Sequence, residues 1–240
     1  MKTNSKISVF DSTMFLYFAR LKQFHLLSQI IQQMPFSTII PEEVRNEVDR
    51  NLKDFSKDAL LDLNYVGEVR EEFQSLISTG TINVMRPEAP KAIIQKFSET
   101  IRKELSHSPF ELSFHYGEAY AIFLARQINA SAIFSDDAVV PFVANHVKPG
   151  LRVEGSPYLV KYGFLKKLIT FSAFVRLLFD LQEKAGYRFM SLYDPRKRRV
   201  FDMYKDNILE GVHLVKYEVN DYLKEGRYKE IIDRLDGDGF

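Results

Sequence analysis

Acidic side chains recur in this chain where apolar runs stop. Asp11 closes the run ISVF at 7–10, and Asp136 and Asp137 follow Ser135 at the end of AIF at 132–134. Glu47 lies in IPEEVRNEV at 40–48, and Glu118 follows Gly117 in GEAYAIFLA at 117–125. Carboxylates that converge on one point raise one another's pKa unless a cation lies between them. Oxygen-only donors, with neither histidine nor cysteine among them, favour a hard ion, Mg²⁺ or Mn²⁺. Such an ion can activate a water and hold a phosphodiester in line for attack, which is the chemistry of a metal-dependent nuclease.

Each acid also has an ordinary role open to it. Asp11 can cap a helix by accepting backbone N–H bonds. Glu47 can be a solvated helix residue, and Glu43, four residues earlier on the same face, competes with it. Glu118 suits the positive N-terminus of a helix, and Asp136 or Asp137 can cap the next one. Ser12 and Thr13 fit either as partners that orient Asp11 or as turn residues. The five histidines show no H-x-x-x-H spacing. His115 is near Glu118 in the chain and can approach the same site, but it reads first as a loop or core residue.

The elements around these residues alternate. Ile7–Phe10, Ser37–Ile40, Thr81–Met85, Ser131–Phe134 and Leu151–Val153 read as short strands. Helical spacing covers Leu16–Gln33, a helix opened by Pro41, most of 50–80, about 91–105, 118–128 and a stretch through Val139, Phe142 and Val143. Strand and helix in turn argue for a parallel sheet covered on both faces. Ligands in such sheets bind outside the carboxyl ends of the strands, where Asp11 and the 136–137 pair fall. Residues 156–240 show helical period almost throughout, with Phe171, Phe174, Val175, Leu178 and Leu181 on one face.

The 240 residues hold no cysteine, which excludes disulfides, thiol catalysis and zinc–thiolate sites. No apolar run reaches the length of a membrane span, and the first ten residues carry no secretory apolar core. The chain therefore reads as cytoplasmic, without membrane association. Net charge is +1, but residues 156–240 carry +3 and residues 1–155 carry −2. The run Arg196, Lys197, Arg198, Arg199 is either an RNA contact, with Tyr193 and Phe201 beside it, or a solvated helix face. Phosphate-binding glycine loops and the nucleophile elbow G-x-S-x-G are absent. A dehalogenase-type phosphatase needs a second aspartate where this chain has Thr13.

Together VFDST (9–13), IPEEVRNEV, GEAYAIFLA, AIFSDD (132–137) and GLRVEG (150–155) resemble the PIN domain, a family of metal-dependent ribonucleases. The third motif resembles a subgroup with a GEA signature. The resemblance implies a PIN-like α/β/α sandwich with a mainly parallel central sheet over residues 1–170, and the helical period beyond it reads as a helical C-terminal extension over 171–240. It implies metal binding by Asp11, Glu47, Glu118 and Asp137, with Asp136 beside the last, and it aligns Ser135 with a family Ser or Thr. The long interval from Glu47 to Glu118 departs from the family pattern and implies extra helices.

These features lead to an expected Mg²⁺- or Mn²⁺-dependent endoribonuclease. Asp11, Glu47, Glu118 and Asp137 are its catalytic acids, and Ser12 and Ser135 orient them. By resemblance alone, the expectation extends to an RNA substrate, a toxin role with an antitoxin or other protein partner, and a homodimer. The alternative from another class is a non-catalytic binding or scaffold module that uses its helical tail. DNA cleavage by the same chemistry ranks third.

Overall fold

A computed structural model describes residues 6–55, 62–105, 114–137 and 139–183. Five strands, β1 (Lys6–Phe10), β2 (Phe36–Pro41), β3 (Ile82–Met85), β4 (Ala132–Phe134) and β5 (Arg152–Glu154), form one sheet in the order β3-β2-β1-β4-β5. Every pairing is parallel, with Phe10 opposite Phe134 and Val9 opposite Ile39. Parallel neighbours need crossovers, and the helices provide them. These are α1 (Ser12–Arg20), α2 (Phe24–Gln33), α3 (Glu42–Phe55), α4 (Leu63–Ser78), α5 (Lys91–Leu105), α6 (Tyr116–Gln127), α7 (Val140–Val147), α8 (Ser156–Leu165) and α9 (Phe171–Glu183).

The strands are apolar on both faces because both faces are covered. Phe10, Ile40, Ile82 and Phe134 point into a core that includes Phe15, Leu27, Val44, Phe73 and Leu159 from helices α1, α2, α3, α4 and α8. Val9, Ile39, Ile133 and Val153 point the other way, onto Ile94, Ile122, Leu124 and Val143 of α5, α6 and α7. The result is the α/β/α sandwich with a parallel sheet expected from the alternation. Helix α9 buries Phe174, Leu177, Leu178 and Leu181 in the first of these cores. Residues 196–199, with the basic run, lie outside the described residues.

The strand order reverses between β1 and β4, since one half of the sheet winds outward from β1 and the other from β4. That is where an open α/β sheet forms its crevice. Phe10 and Phe134 stack there with ring centroids 4.5 Å apart, and the Asp11 N–H donates to the Phe134 carbonyl at 2.9 Å. These contacts fix the two strand ends that carry Asp11 and Asp137.

Several boundaries differ from the sequence expectation. The single helix read over Leu16–Gln33 is two helices, α1 and α2. Lys22 takes a left-handed φ of 56°, and Gln23 N–H reaches back to the Phe18 carbonyl at 2.8 Å while Lys22 N–H reaches Ala19 at 3.0 Å. This is a helix-ending motif that glycine usually serves, so a lysine there carried no stop signal. Asn129 (φ 51°) ends α6 and Lys167 (φ 58°) ends α8 in the same way. Pro41 is the last residue of β2, paired with Met85, and the helix opens one residue later at Glu42. The strand expected at Leu151–Val153 is shifted by one, to Arg152–Glu154.

Candidate metal centre

Asp11 sits where α1 begins, with φ −90° and ψ 165°, yet its side chain makes no capping bond to the helix. Oδ2 accepts from the Thr13 hydroxyl at 3.1 Å and from the Ser135 hydroxyl at 3.0 Å. Oδ1 is buried and has no hydrogen-bond partner among the described residues. The residue is 1% exposed. A buried carboxylate oxygen without a donor is costly, so its presence needs a reason that capping does not provide.

The neighbours of that oxygen are more acids. Helix α3 packs on α6 and brings Glu47 against Gly117. A Cβ on Gly117 would lie 2.6 Å from Glu47 Oε2 and 3.7 Å from Asp11 Oδ1. The absent side chain therefore lets two carboxylates from β1 and α3 close on the same spot, beside the first turn of α6. Glu118 follows on that turn, 6% exposed, with Oε2 accepting from the His115 N–H at 2.8 Å. His115 Nδ1 lies 3.2 Å from Glu118 Oε1. Asp137 reaches the cluster from the end of β4. One donor atom each from His115, Glu118 and Asp137 lie within 4.8 Å of one another.

Hydroxyls tie these acids together. Ser135 donates to Asp11 and accepts from the Asp137 N–H at 3.2 Å, so one side chain couples two acids. Thr13 donates to Asp11 and accepts from the Asp136 N–H at 3.2 Å. The Ser12 hydroxyl beside Glu47 favours its ionised form. Asp137 Oδ1 also accepts from the Val139 N–H at 2.7 Å, which anchors the turn into α7.

The two adjacent aspartates face different ways. Asp136 Oδ1 accepts from the Ser156 N–H at 2.7 Å and Oδ2 from the Ser156 hydroxyl. Asp136 thus secures the start of α8, while Asp137 turns to Glu118 and His115. Glu43, the competitor of Glu47, lies by the Tyr120 phenol instead.

The electrostatics are those of buried anions crowded together. Burial first, then the charges of Glu118 and Glu47, push the Asp11 carboxyl well above the usual carboxylate range. Burial and then Glu118 raise Glu47, against the Ser12 hydroxyl. Burial and then Glu118 push Asp137 up to about 7, against the Val139 N–H. The Glu118 hydrogen bond lifts His115 to about 9. The donor set of carboxylates, with one orphaned oxygen and a gap that a Cβ would fill, fits a divalent cation. Of the acids the sequence points to, Glu118 and Asp137 have donor atoms within 4.8 Å of each other and of His115, while Asp11 and Glu47 lie beside Gly117 at the start of the same helix.

The residue that sequence reasoning undervalued is Gly117. Glycine inside a helix start costs stability relative to alanine, so its place directly before an acid was a signal for close approach. Thr13 and His115 were visible as neighbours of the acids, but nothing in their spacing said which way they faced.

A five-stranded parallel sheet in this order, covered by helices on both faces, defines an α/β/α class of protein. A family model described as PIN domain matches residues 7–199, and the chain belongs to that family. PIN domains are typically nucleases and generally use divalent metals. Neither curated proteins nor solved structures gave a match. Among the described residues no helix is long and apolar enough to cross a membrane.

Proposed function

We propose that this chain is a divalent-metal-dependent endoribonuclease. The observation that carries the reading is the unpartnered, buried Asp11 Oδ1, set beside Glu47 across the gap left by Gly117. In this reading Asp11, Glu47, Glu118 and Asp137 hold Mg²⁺ or Mn²⁺. When bound, the ion offsets the charge that builds on the phosphoryl oxygens and makes water a better nucleophile at neutral pH.

The chain's own side chains do the positioning. Ser135 and Thr13 hold Asp11 Oδ2, which leaves Oδ1 turned to the cluster. Ser12 steadies Glu47, and the His115 N–H steadies Glu118. Asp136 stays outside the ion's contacts and locks the β4 end to α8 through Ser156. Placed at the carboxyl end of the sheet, the site lies where an extended polyanion can cross the crevice. The basic run at 196–199 adds positive charge of the kind that suits an RNA backbone.

RNA rather than DNA is the proposed polymer, and the family resemblance supports it. Matched single-stranded RNA and DNA oligonucleotides, incubated with Mn²⁺, Mg²⁺ or EDTA, test the reading. It expects internal cuts in RNA with either ion and none with EDTA. Cutting of DNA alone would reassign the polymer. No cutting of either would leave a binding module in its place.

A further inference from the structure

The imidazole of His115 stands over the acids at the mouth of the cluster. Its side chain is 62% exposed, whereas Glu118 beneath it is 7% exposed. The start of α6 fixes the pair, because the His115 backbone N–H holds Glu118 Oε2 while the ring lies by Oε1. Asp137 comes from another element, the end of β4, and still brings an oxygen within 4.8 Å of both. Neighbouring donor atoms around one first-row ion at about 2.1 Å lie roughly 3–3.4 Å apart, so His115 Nδ1 and Glu118 Oε1 at 3.2 Å already have that spacing and the trio must close from within 4.8 Å to share one ion. The orphaned Asp11 Oδ1 is an independent sign that a cation belongs among these acids, since hydrogen bonds leave it unsatisfied.

We propose that His115 is a nitrogen ligand which, with Glu118 and Asp137, gives the site a preference for Mn²⁺ or a similar transition ion over Mg²⁺. The inference rests on the metal site proposed above and adds to it. Mg²⁺ takes oxygen ligands and keeps its waters, whereas imidazole suits the first-row transition ions. A site of four carboxylates alone would discriminate weakly between Mg²⁺ and Mn²⁺. One imidazole within reach changes the donor set in favour of Mn²⁺ without affecting the oxygens that either ion uses. The competing role is an ion pair, in which His115 only neutralises Glu118 and gives way to any cation.

The test uses the full chain with each metal ion as its own probe. Mn²⁺ binding is followed by the electron paramagnetic resonance of the free ion, and Mg²⁺ binding by its competition with Mn²⁺. The bound Mn²⁺ is examined for hyperfine coupling to a histidine nitrogen. The variants are His115→Ala and His115→Asn, the second because asparagine suits a helix start. The proposal expects nitrogen coupling in the unaltered chain and its loss in both variants. It also expects Mn²⁺ affinity to fall about tenfold or more while Mg²⁺ affinity stays within about twofold. Bound Mn²⁺ without nitrogen coupling overturns the proposal and leaves the metal site standing. So does an equal change for both ions, or no change for either. An unaltered chain that binds neither ion overturns the metal site and this proposal together.

Discussion

Gly117 and Glu47 fit together only because one of them has no side chain: a Cβ on Gly117 would lie 2.6 Å from Glu47 Oε2. Gly117 stands in the first turn of α6, outside the left-handed region, so alanine suits the backbone there. Helix propensity alone would make Gly117→Ala stabilising by up to about 1 kcal/mol. The methyl group must instead push the Glu47 carboxylate away from Asp11. We expect a variant with Tm unchanged or raised and divalent-ion affinity weakened by about tenfold or more. Thermal melts and metal titration of the same sample check it, and undiminished affinity would show that the gap is not needed.

Asp11→Asn should separate stability from function. Asparagine keeps an acceptor for Thr13 and Ser135 and removes the charge that burial, Glu118 and Glu47 disfavour. The metal-free variant should therefore be more stable than the unaltered chain, by about 1–3 kcal/mol, at a pH high enough to ionise Asp11. It should gain nothing from added Mn²⁺. Denaturant unfolding with and without the ion measures both effects, and a variant still stabilised by Mn²⁺ would remove Asp11 from the site.

The metal-free chain should lose stability as pH rises. Asp137 is raised from 3.8 to about 7, so its folded form binds more protons than its unfolded form over that interval. Its contribution is fully present below about pH 4 and is lost as pH rises through about 7. Asp11 and Glu47 are raised too and act in the same sense. His115, raised from 6.5 to about 9, contributes below about 6.5 and loses that contribution through about 9. A divalent ion binds the deprotonated acids, so its stabilising effect should grow over the same range. Melts in EDTA and in Mn²⁺ between pH 5 and 9 should diverge as pH rises, and parallel curves would contradict the account.

Ser135→Ala removes a hydroxyl that donates to Asp11 and accepts from the Asp137 N–H. Neither acid is deleted, but both lose orientation. Metal affinity should fall by about 10- to 100-fold, the usual effect of losing a group that orients a ligand. Calorimetric titration checks this, and an unchanged affinity would reduce Ser135 to a packing residue.

Much of this was legible in the chain before its folding was known. The alternation of short apolar runs and helical spacing gave the parallel sheet, because strands covered on both faces must be apolar throughout. Asp11, Glu118 and Asp137 were visible as acids at element ends. What the sequence could not carry was direction. Asp136 and Asp137 are adjacent carboxylates of equal chemistry, and only the arrival of Ser156 from α8 separates them. Glu43 and Glu47 share a helix face, and the packing of α3 on α6 separates them. The break at Lys22 escaped notice because a non-glycine residue adopts the left-handed turn. The close approach at Gly117 depends on contacts between segments 70 residues apart, which no local pattern records.

The most direct test of the central claim compares cleavage of one end-labelled single-stranded RNA by the unaltered chain and by Asp11→Asn, each with Mn²⁺ and with EDTA. The account predicts internal cuts only from the unaltered chain with Mn²⁺. Equal cutting by Asp11→Asn, or cutting that survives EDTA, would contradict it.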